Sequence, residues 1–298
     1  MVRFRWILAA TLLLVPACGG GSSPPPATRA AHAVAVTRAC GRPGAAPRRY
    51  SHVIWIVMEN KSFSDVIGSS QAPYTRALAS ACGLATRFSA ETHPSLPNYI
   101  AMTSGSTQHI SDDLGPGFHR LAVPSIFSQL GSGWRALEDA MPSACARANS
   151  GRYAVRHNPA AYYTNLAGSC RRQDVPLATR PNLSARFTFV TPDLCHDTHD
   201  CPVSDGDRWL AGFVPKILRS RQYASGRTAV FITWDEDDGS GSNRIPTLVI
   251  APHTHPGTRS ARSFSHYSML RTTEELLGLP VRLGAAARAA SMRSAFGL

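Results

Sequence analysis

Four short blocks of polar residues carry the chemistry this chain could perform: Met58-Glu59-Asn60, His93-Pro94-Ser95-Leu96-Pro97-Asn98, Asp197-Thr198-His199-Asp200, and Trp234-Asp235-Glu236-Asp237-Asp238-Gly239. Carboxylates and amides are poor packing residues but good ligands for hard divalent cations. A serine or threonine beside such a cation becomes a usable nucleophile. Phosphate esters require that combination, because the anion repels nucleophiles and the leaving alkoxide is poor. Metal-assisted ester hydrolysis is therefore the chemistry expected. Each block also has a structural reading. Glu59 and Asn60 are acceptable helix caps, and Ser95 is an acceptable N-cap.

The elements that must position these blocks follow from apolar patterning. Val53 to Val57 is an unbroken apolar run, as expected of a strand covered on both faces. Phe187 to Val190, Ala229 to Trp234 and Thr247 to Ile250 read the same way. Residues 73–81, 96–103, 126–130, 207–223 and 266–277 read as helices, with Pro97 tolerated in a first turn. Strands alternating with helices predict an α/β fold, a three-layer sandwich with a mainly parallel central sheet. Ligands of such sheets bind beyond the carboxyl ends of the strands. Glu59-Asn60, the 193–200 segment and Asp235-Glu236 each follow a strand, so all three sets converge if those strands are parallel. Asp235 and Glu236 are adjacent and would face opposite ways in a strand, so they share a site only if the strand has ended.

Ser95 to Gly105 is similar to the nucleophile block of nucleotide pyrophosphatases/phosphodiesterases, members of the alkaline phosphatase superfamily, with Ser95 at the nucleophile and Asn98 at the phosphate-holding Asn. The segment from His52 to Phe63, with Glu59-Asn60-Lys61-Ser62-Phe63, resembles the opening signature of the bacterial phosphoesterase family that contains phospholipases C and acid phosphatases. Thr233 to Gly239 resembles its Asp-Glu-x-Asp-Gly block, and Ser265 to Thr272 its late His-Tyr-Ser block. Arg156-His157-Asn158-Pro159 and Asp197 to Asp200 look like the small secreted acid-phosphatase branch, which includes phosphatidylinositol 3-phosphate phosphatases. The resemblance implies that Glu59, Asn60, Asp235 and Glu236 hold a divalent metal. Asp197, His199 and His266 would contribute to it or hold a second ion. His157 would donate to phosphate or protonate the leaving group. Thr92 competes with Ser95 as the nucleophile. Oxygen donors suit Ca²⁺, Mg²⁺ or Mn²⁺, and added histidine admits Zn²⁺. The expected substrate is a phosphorylated small molecule or phospholipid. A phosphodiesterase or phospholipase C, or a surface lipoprotein without activity, are the alternatives.

The chain has 298 residues and a formal net charge of +12, almost all of the excess being arginine, since Lys61 and Lys216 are the only lysines. That balance suits anionic substrates or lipid headgroups. Basic runs interleaved with aromatics are absent, which argues against nucleic acid as a partner. Arg3 and Arg5 precede an apolar stretch too short to span a bilayer, and Val15-Pro16-Ala17-Cys18 looks like a lipoprotein cleavage site. Residues 1–17 are thus expected to be a signal peptide, with Cys18 lipidated as a membrane anchor and simple secretory cleavage as the alternative. Residues 18–48, rich in Pro, Gly and Ala, would form a tether, and residues 49–298 the catalytic domain of an exported protein. Six cysteines remain, an even number that reads as disulfides in an exported chain. Nearness in sequence favours Cys195 with Cys201 and Cys145 with Cys170, leaving Cys40 with Cys82.

Overall fold

The computed structural model describes Val36 and residues 39–298. The expected signal peptide, the Cys18 anchor and most of the tether lie outside the described residues. The first half of the domain comprises β1 (His52–Met58), α1 (Phe63–Ile67), α2 (Pro73–Ala81), β2 (Gly83–Ala85), β3 (Phe88–Ser89), α3 (Ser95–Ser104), α4 (Ile126–Gln129) and β4 (Trp134–Glu138). The second half adds α5 (Cys170–Gln173), β5 (Asp174–Pro176), β6 (Phe187–Thr191), α6 (Val203–Leu218) and α7 (Arg221–Ala224). It closes with β7 (Thr228–Trp234), β8 (Thr247–Ile250), β9 (Thr258–Ser260), β10 (Phe264–Ser265), α8 (His266–Leu276) and α9 (Arg293–Phe296).

The main sheet has the order β5-β4-β6-β1-β7-β8-β2-β9. Among the described residues β8 alone runs against the rest, pairing antiparallel with β7 and β2. Strand β1 takes the centre because its apolar run tolerates cover on both faces, and Val53 to Met58 are fully buried. Its alternate residues point to different layers. The Trp55 indole donates to Thr273 Oγ1 on α8 at 3.0 Å and packs edge-on against Phe187 at 4.8 Å. Met58 points the other way, toward Gly206 on α6. Helices thus cover both faces, as expected. No helix among the described residues is long and apolar enough to cross a membrane.

Several boundaries moved for local reasons. The helix expected over 207–223 begins at Val203 and ends at Leu218, because the Ser220 side chain accepts the Tyr223 N–H and starts α7 separately. Strand β4 is absent from the apolar pattern because Arg135 and Glu138 interrupt it, yet it lies between β5 and β6. Helix α2 starts after Ala72, which has no capping group. Asp207, buried on α6, supplies one by accepting the Tyr74 and Thr75 N–H groups and the Thr75 hydroxyl. Disulfides join Cys40 to Cys82, Cys145 to Cys170 and Cys195 to Cys201, the pairing that sequence proximity favours.

Candidate active site

Strands β6, β1 and β7 are consecutive and parallel, so their carboxyl ends lie side by side. Backbone bonds continue past the strands: Glu59 N–H donates to Asp197 O at 2.8 Å, and Asp235 N–H to Met58 O at 2.9 Å. Because β7 stops at Trp234, Asp235 and Glu236 are free of the strand alternation. Asn60 adopts φ 48° and Thr198 φ 81°, the latter a strained conformation for a β-branched residue. Thr198 is held there by donating its hydroxyl to Glu59 O at 2.7 Å and accepting the Trp234 indole at 3.2 Å. The Cys195–Cys201 disulfide closes this loop at its base. His196, 3.2 Å from Asp139 and 3.1 Å from Asp193, ties it to β4.

Helix α3 brings the hydroxyl. All ten of its residues are buried, and it ends at Gly105 (φ 78°), where a Cβ would lie 2.2 Å from the Leu283 carbonyl oxygen. Its first residue, Ser95, donates to Glu59 Oε2 at 3.0 Å and also lies 3.3 Å from Glu236 Oε1. One turn on, the Tyr99 hydroxyl donates to Glu59 Oε1 at 2.6 Å. Asn98 accepts the N–H groups of Glu91 and Thr92 and reaches Glu236 Oε2 at 3.3 Å. Asn60 N–H donates to Asp235 Oδ1 at 3.1 Å, while its side-chain amide meets Glu236 at 3.4 Å. His157 stacks on Tyr99 with its Nε2 3.3 Å from Glu59 and its Nδ1 3.3 Å from Asp197. Ser95, Asn98, His157, Glu59, Asn60, Asp197, Asp235 and Glu236 are thus brought together.

The remaining expected residues lie at the margins. His266 begins α8, with Nε2 donating to Trp234 O at 3.0 Å. Burial holds its imidazole down to about 4, so it is neutral. His199 stands on the rim with both ring nitrogens engaged, Nδ1 at 2.7 Å from Asp200 and Nε2 at 3.1 Å from Arg156. Thr92 turns its hydroxyl to His93 O at 3.1 Å. Asp237 and Asp238 accept turn N–H groups from Gly239 and Ser240. Four contributors escaped sequence reasoning. Tyr99 shares the Ser95 face at i+4, a signal that was available. His93 lies 2.8 Å from Glu236 and 3.2 Å from Asp237, instead of being an ordinary surface or core histidine. Asp113 accepts the Leu96 N–H at 2.9 Å, and Arg156 Nε lies 3.7 Å from the same carboxylate. No local pattern marks Asp113, and Arg156 stood in the Arg156-His157-Asn158-Pro159 block without a role assigned to it.

Residues 69–280 match the family model described as Phosphoesterase family. The chain is 32% identical over 240 residues to the phosphatidylinositol-3-phosphatase of Mycobacterium tuberculosis, covering 78% of each chain. It is 26% identical over 251 residues to an acid phosphatase of Aspergillus fumigatus, covering 76% of this chain but 54% of that one. A Vibrio parahaemolyticus protein of the alkaline phosphatase superfamily superposes with a TM-score of 0.57 at 13% identity, over 87% of this chain and 78% of that one. The chain belongs to the Phosphoesterase family. The fold of this phosphoesterase is that of the alkaline phosphatase superfamily, and it is a phosphoric ester hydrolase by family.

The charges of this phosphoesterase's site explain what it could hold. Burial, then repulsion from Asp235 and Asp197, pushes Glu59 well above the usual carboxylate range. Burial likewise raises Asp197 and Asp235, and brings Glu236 up to about 8. Burial lowers His157 well below its ordinary value. Asn60 Oδ1, Asp197 Oδ2 and Asp235 Oδ2 are buried without a hydrogen-bond partner, as are His157 Nε2 and His266 Nδ1. Orphaned oxygens among mutually repelling carboxylates are the donor chemistry of a hard divalent cation, so the residues fit such an ion.

Gly206 decides whether α6 can approach this site. A Cβ there would sit 2.3 Å from Thr198 Cγ2 and 3.0 Å from His196 O. Gly206→Ala is expected to cost about 1–3 kcal/mol through overpacking and to lower phosphatase turnover by displacing the Thr198 loop. Urea unfolding and a p-nitrophenyl phosphate assay check both. Unchanged values would mean that the loop yields freely.

Proposed function

We propose that this chain is an exported, divalent-metal-dependent phosphatase that hydrolyses phosphate monoesters, phosphoinositides among them, with Ser95 as nucleophile. The observation that carries the reading is the placement of Ser95 Oγ, buried at the start of α3 between Glu59 and Glu236. Glu59, Asn60, Asp235 and Glu236, with Asp197, would hold the cation, as Ca²⁺, Mg²⁺, Mn²⁺ or Zn²⁺. Bound there, the cation would lower the pKa of the serine hydroxyl and neutralise phosphoryl oxygens.

Ser95 Oγ would then attack phosphorus in line, its hydroxyl proton passing to the Glu59 carboxylate that accepts its hydrogen bond. The Oγ–P bond would form as the bond from phosphorus to the leaving alkoxide breaks and the alkoxide takes up a proton from solvent. Water hydrolyses the phosphoserine in a second displacement and frees phosphate. The positive end of the α3 dipole faces the developing charge. Asn98 would hold a non-bridging oxygen by exchanging its 3.3 Å contact with Glu236 for the ligand. His157, buried 3.3 Å from both Glu59 and Asp197, would serve the leaving group once the site is occupied. Two similarities support the monoester and phosphoinositide reading: the Mycobacterium tuberculosis phosphatase and the fungal acid phosphatases. Three disulfides and the lipobox-like Cys18 support export.

Rates on p-nitrophenyl phosphate and bis-p-nitrophenyl phosphate separate the reading from its rival. A preference of ~100-fold in kcat/KM for the monoester is expected from interactions specific to the third free oxygen. A preference for the diester would replace the phosphatase with a phosphodiesterase or phospholipase C.

A further inference from the structure

Three large hydrophobic side chains are prominently exposed among the described residues: Phe118 at 76%, Val281 at 59% and Leu114 at 46%. Two of the three belong to one short loop, and that loop touches the active site. Asp113, immediately before Leu114, accepts the N–H of Leu96 at 2.9 Å, next to the Ser95 hydroxyl, and faces Arg156 at 3.7 Å. Phe118 follows the turn Gly115-Pro116-Gly117, where the Phe118 and His119 N–H groups both donate to Gly115 O at 2.9 and 3.3 Å. Both ends of the loop are anchored. Tyr162 donates its hydroxyl to Leu114 O at 3.2 Å, and Leu121 N–H donates to Tyr162 O at 2.9 Å. The apolar tip is therefore held outward by a fixed frame. Exposed apolar residues grouped beside a site mark a binding surface.

We propose that the loop from Leu114 to Arg120 docks the mouth of the active site on the surface of an anionic lipid assembly. Phe118 and Leu114 enter the boundary between headgroups and acyl chains, and the exposed Arg120 meets headgroup anions. The two acids at the loop's base are both engaged within the protein, Asp112 with His119 at 2.5 Å and Asp113 with the Leu96 N–H and Arg156. The net charge of +12 favours the same partner. Asp113 ties the loop's base to Leu96 and Arg156, so a headgroup held at this loop would be delivered beside the start of α3, where Ser95 lies. The docking stands on the loop itself, while delivery of substrate rests on the phosphatase reading above.

The other exposed hydrophobe makes a weaker case. Val281 lies by a hollow of about 410 Å³ lined by Arg48, Arg49, Arg282 and Arg293. Arg293 and Arg282 donate there to the carbonyls of Arg48 and Leu279. That surface precedes β1, whereas Glu59 follows it, so docking through Val281 would turn the catalytic edge away from the lipid.

The test uses the full chain, a Leu114→Ser/Phe118→Ser double variant, and Val281→Ser as a comparator. The probes are phosphatidylcholine vesicles containing phosphatidic acid, monomeric short-chain phosphatidic acid, and p-nitrophenyl phosphate. The double variant is expected to lose ~10-fold or more in vesicle co-sedimentation and vesicle turnover, through the lost apolar insertion. Its rates on the two soluble esters should stay within about twofold of the parent, because neither side chain contacts the reacting groups. Equal losses on vesicles and soluble esters would overturn the proposal. So would unchanged vesicle binding, or a larger loss in Val281→Ser. If the parent turned over no soluble ester, the phosphatase reading would fail, and co-sedimentation would still decide the docking surface.

Discussion

Ser95→Ala is expected to lower kcat for p-nitrophenyl phosphate by ~1,000-fold or more, since a nucleophile cannot be replaced by its neighbours. The melting temperature should change little. Ser95 is the first residue of α3, after Pro94 at the cap position, and its hydroxyl points to Glu59 and Glu236 instead of back to the helix. Were it only a structural cap, the change would cost about 0.5–2 kcal/mol of stability and leave chemistry intact. Thr92→Ala is the matched control. Thr92 spends its hydroxyl on His93 O, so that variant should keep most of its activity. Steady-state turnover and thermal unfolding of both variants decide the matter. Near-parental turnover in Ser95→Ala would end the nucleophile assignment.

Chelation should have the second large effect, in stability as well as activity. Without a cation, Glu59, Asp197 and Asp235 are held well above the ordinary carboxylate range and Glu236 is pushed up to about 8. The folded state then binds more protons than the unfolded chain across the interval from about pH 4 to about 8. The metal-free protein is therefore most stable at the acid end, and its stability falls as pH rises through that interval. A divalent cation bound there would reverse the trend, because it would hold the carboxylates ionised and release protons as it binds. Added Ca²⁺, Mg²⁺, Mn²⁺ or Zn²⁺ should accordingly raise the melting temperature more at pH 8 than at pH 5. Restoring the right ion should recover at least ~100-fold in turnover. Thermal scans of chelated protein at both pH values, with elemental analysis of the untreated protein, supply the check. A chelated enzyme that keeps its activity and responds to none of the four ions would refute metal dependence.

The elements nearest the chemistry were the easiest to read. The apolar run of β1 is unbroken, β6 and β7 carry only threonines among their apolar residues, and a polar block that the site uses follows each strand. Helix α3 was expected within a residue of its observed ends, since its apolar face and Gly105 are local features. Short strands were harder. β2, β5 and β9 are three residues each, too few for a period to show, and β4 is broken by charge. Among the side chains, Glu59, Asn60, Ser95, Asn98, Asp235 and Glu236 were legible because they sit in compact blocks. His157 was legible only through resemblance, and Asp113, Arg156 and His93 gain their contacts from folding.

What the chain alone determines is local: the longer strands and helices, the polar blocks that follow them, and the cysteine pairs that proximity favours. Those properties depend on hydrophobic period, cap residues and distances of a few residues along the chain. The tertiary structure decides the rest. It places β6, β1 and β7 side by side, which carries Asp197 to within 3.3 Å of a histidine forty residues earlier in the chain, and that histidine to Glu59. It sets Asp113 against the start of α3, and it leaves Phe118 in solvent at the mouth. Such contacts join segments far apart in the chain, and burial and charge act through space, so no run of neighbouring residues encodes them.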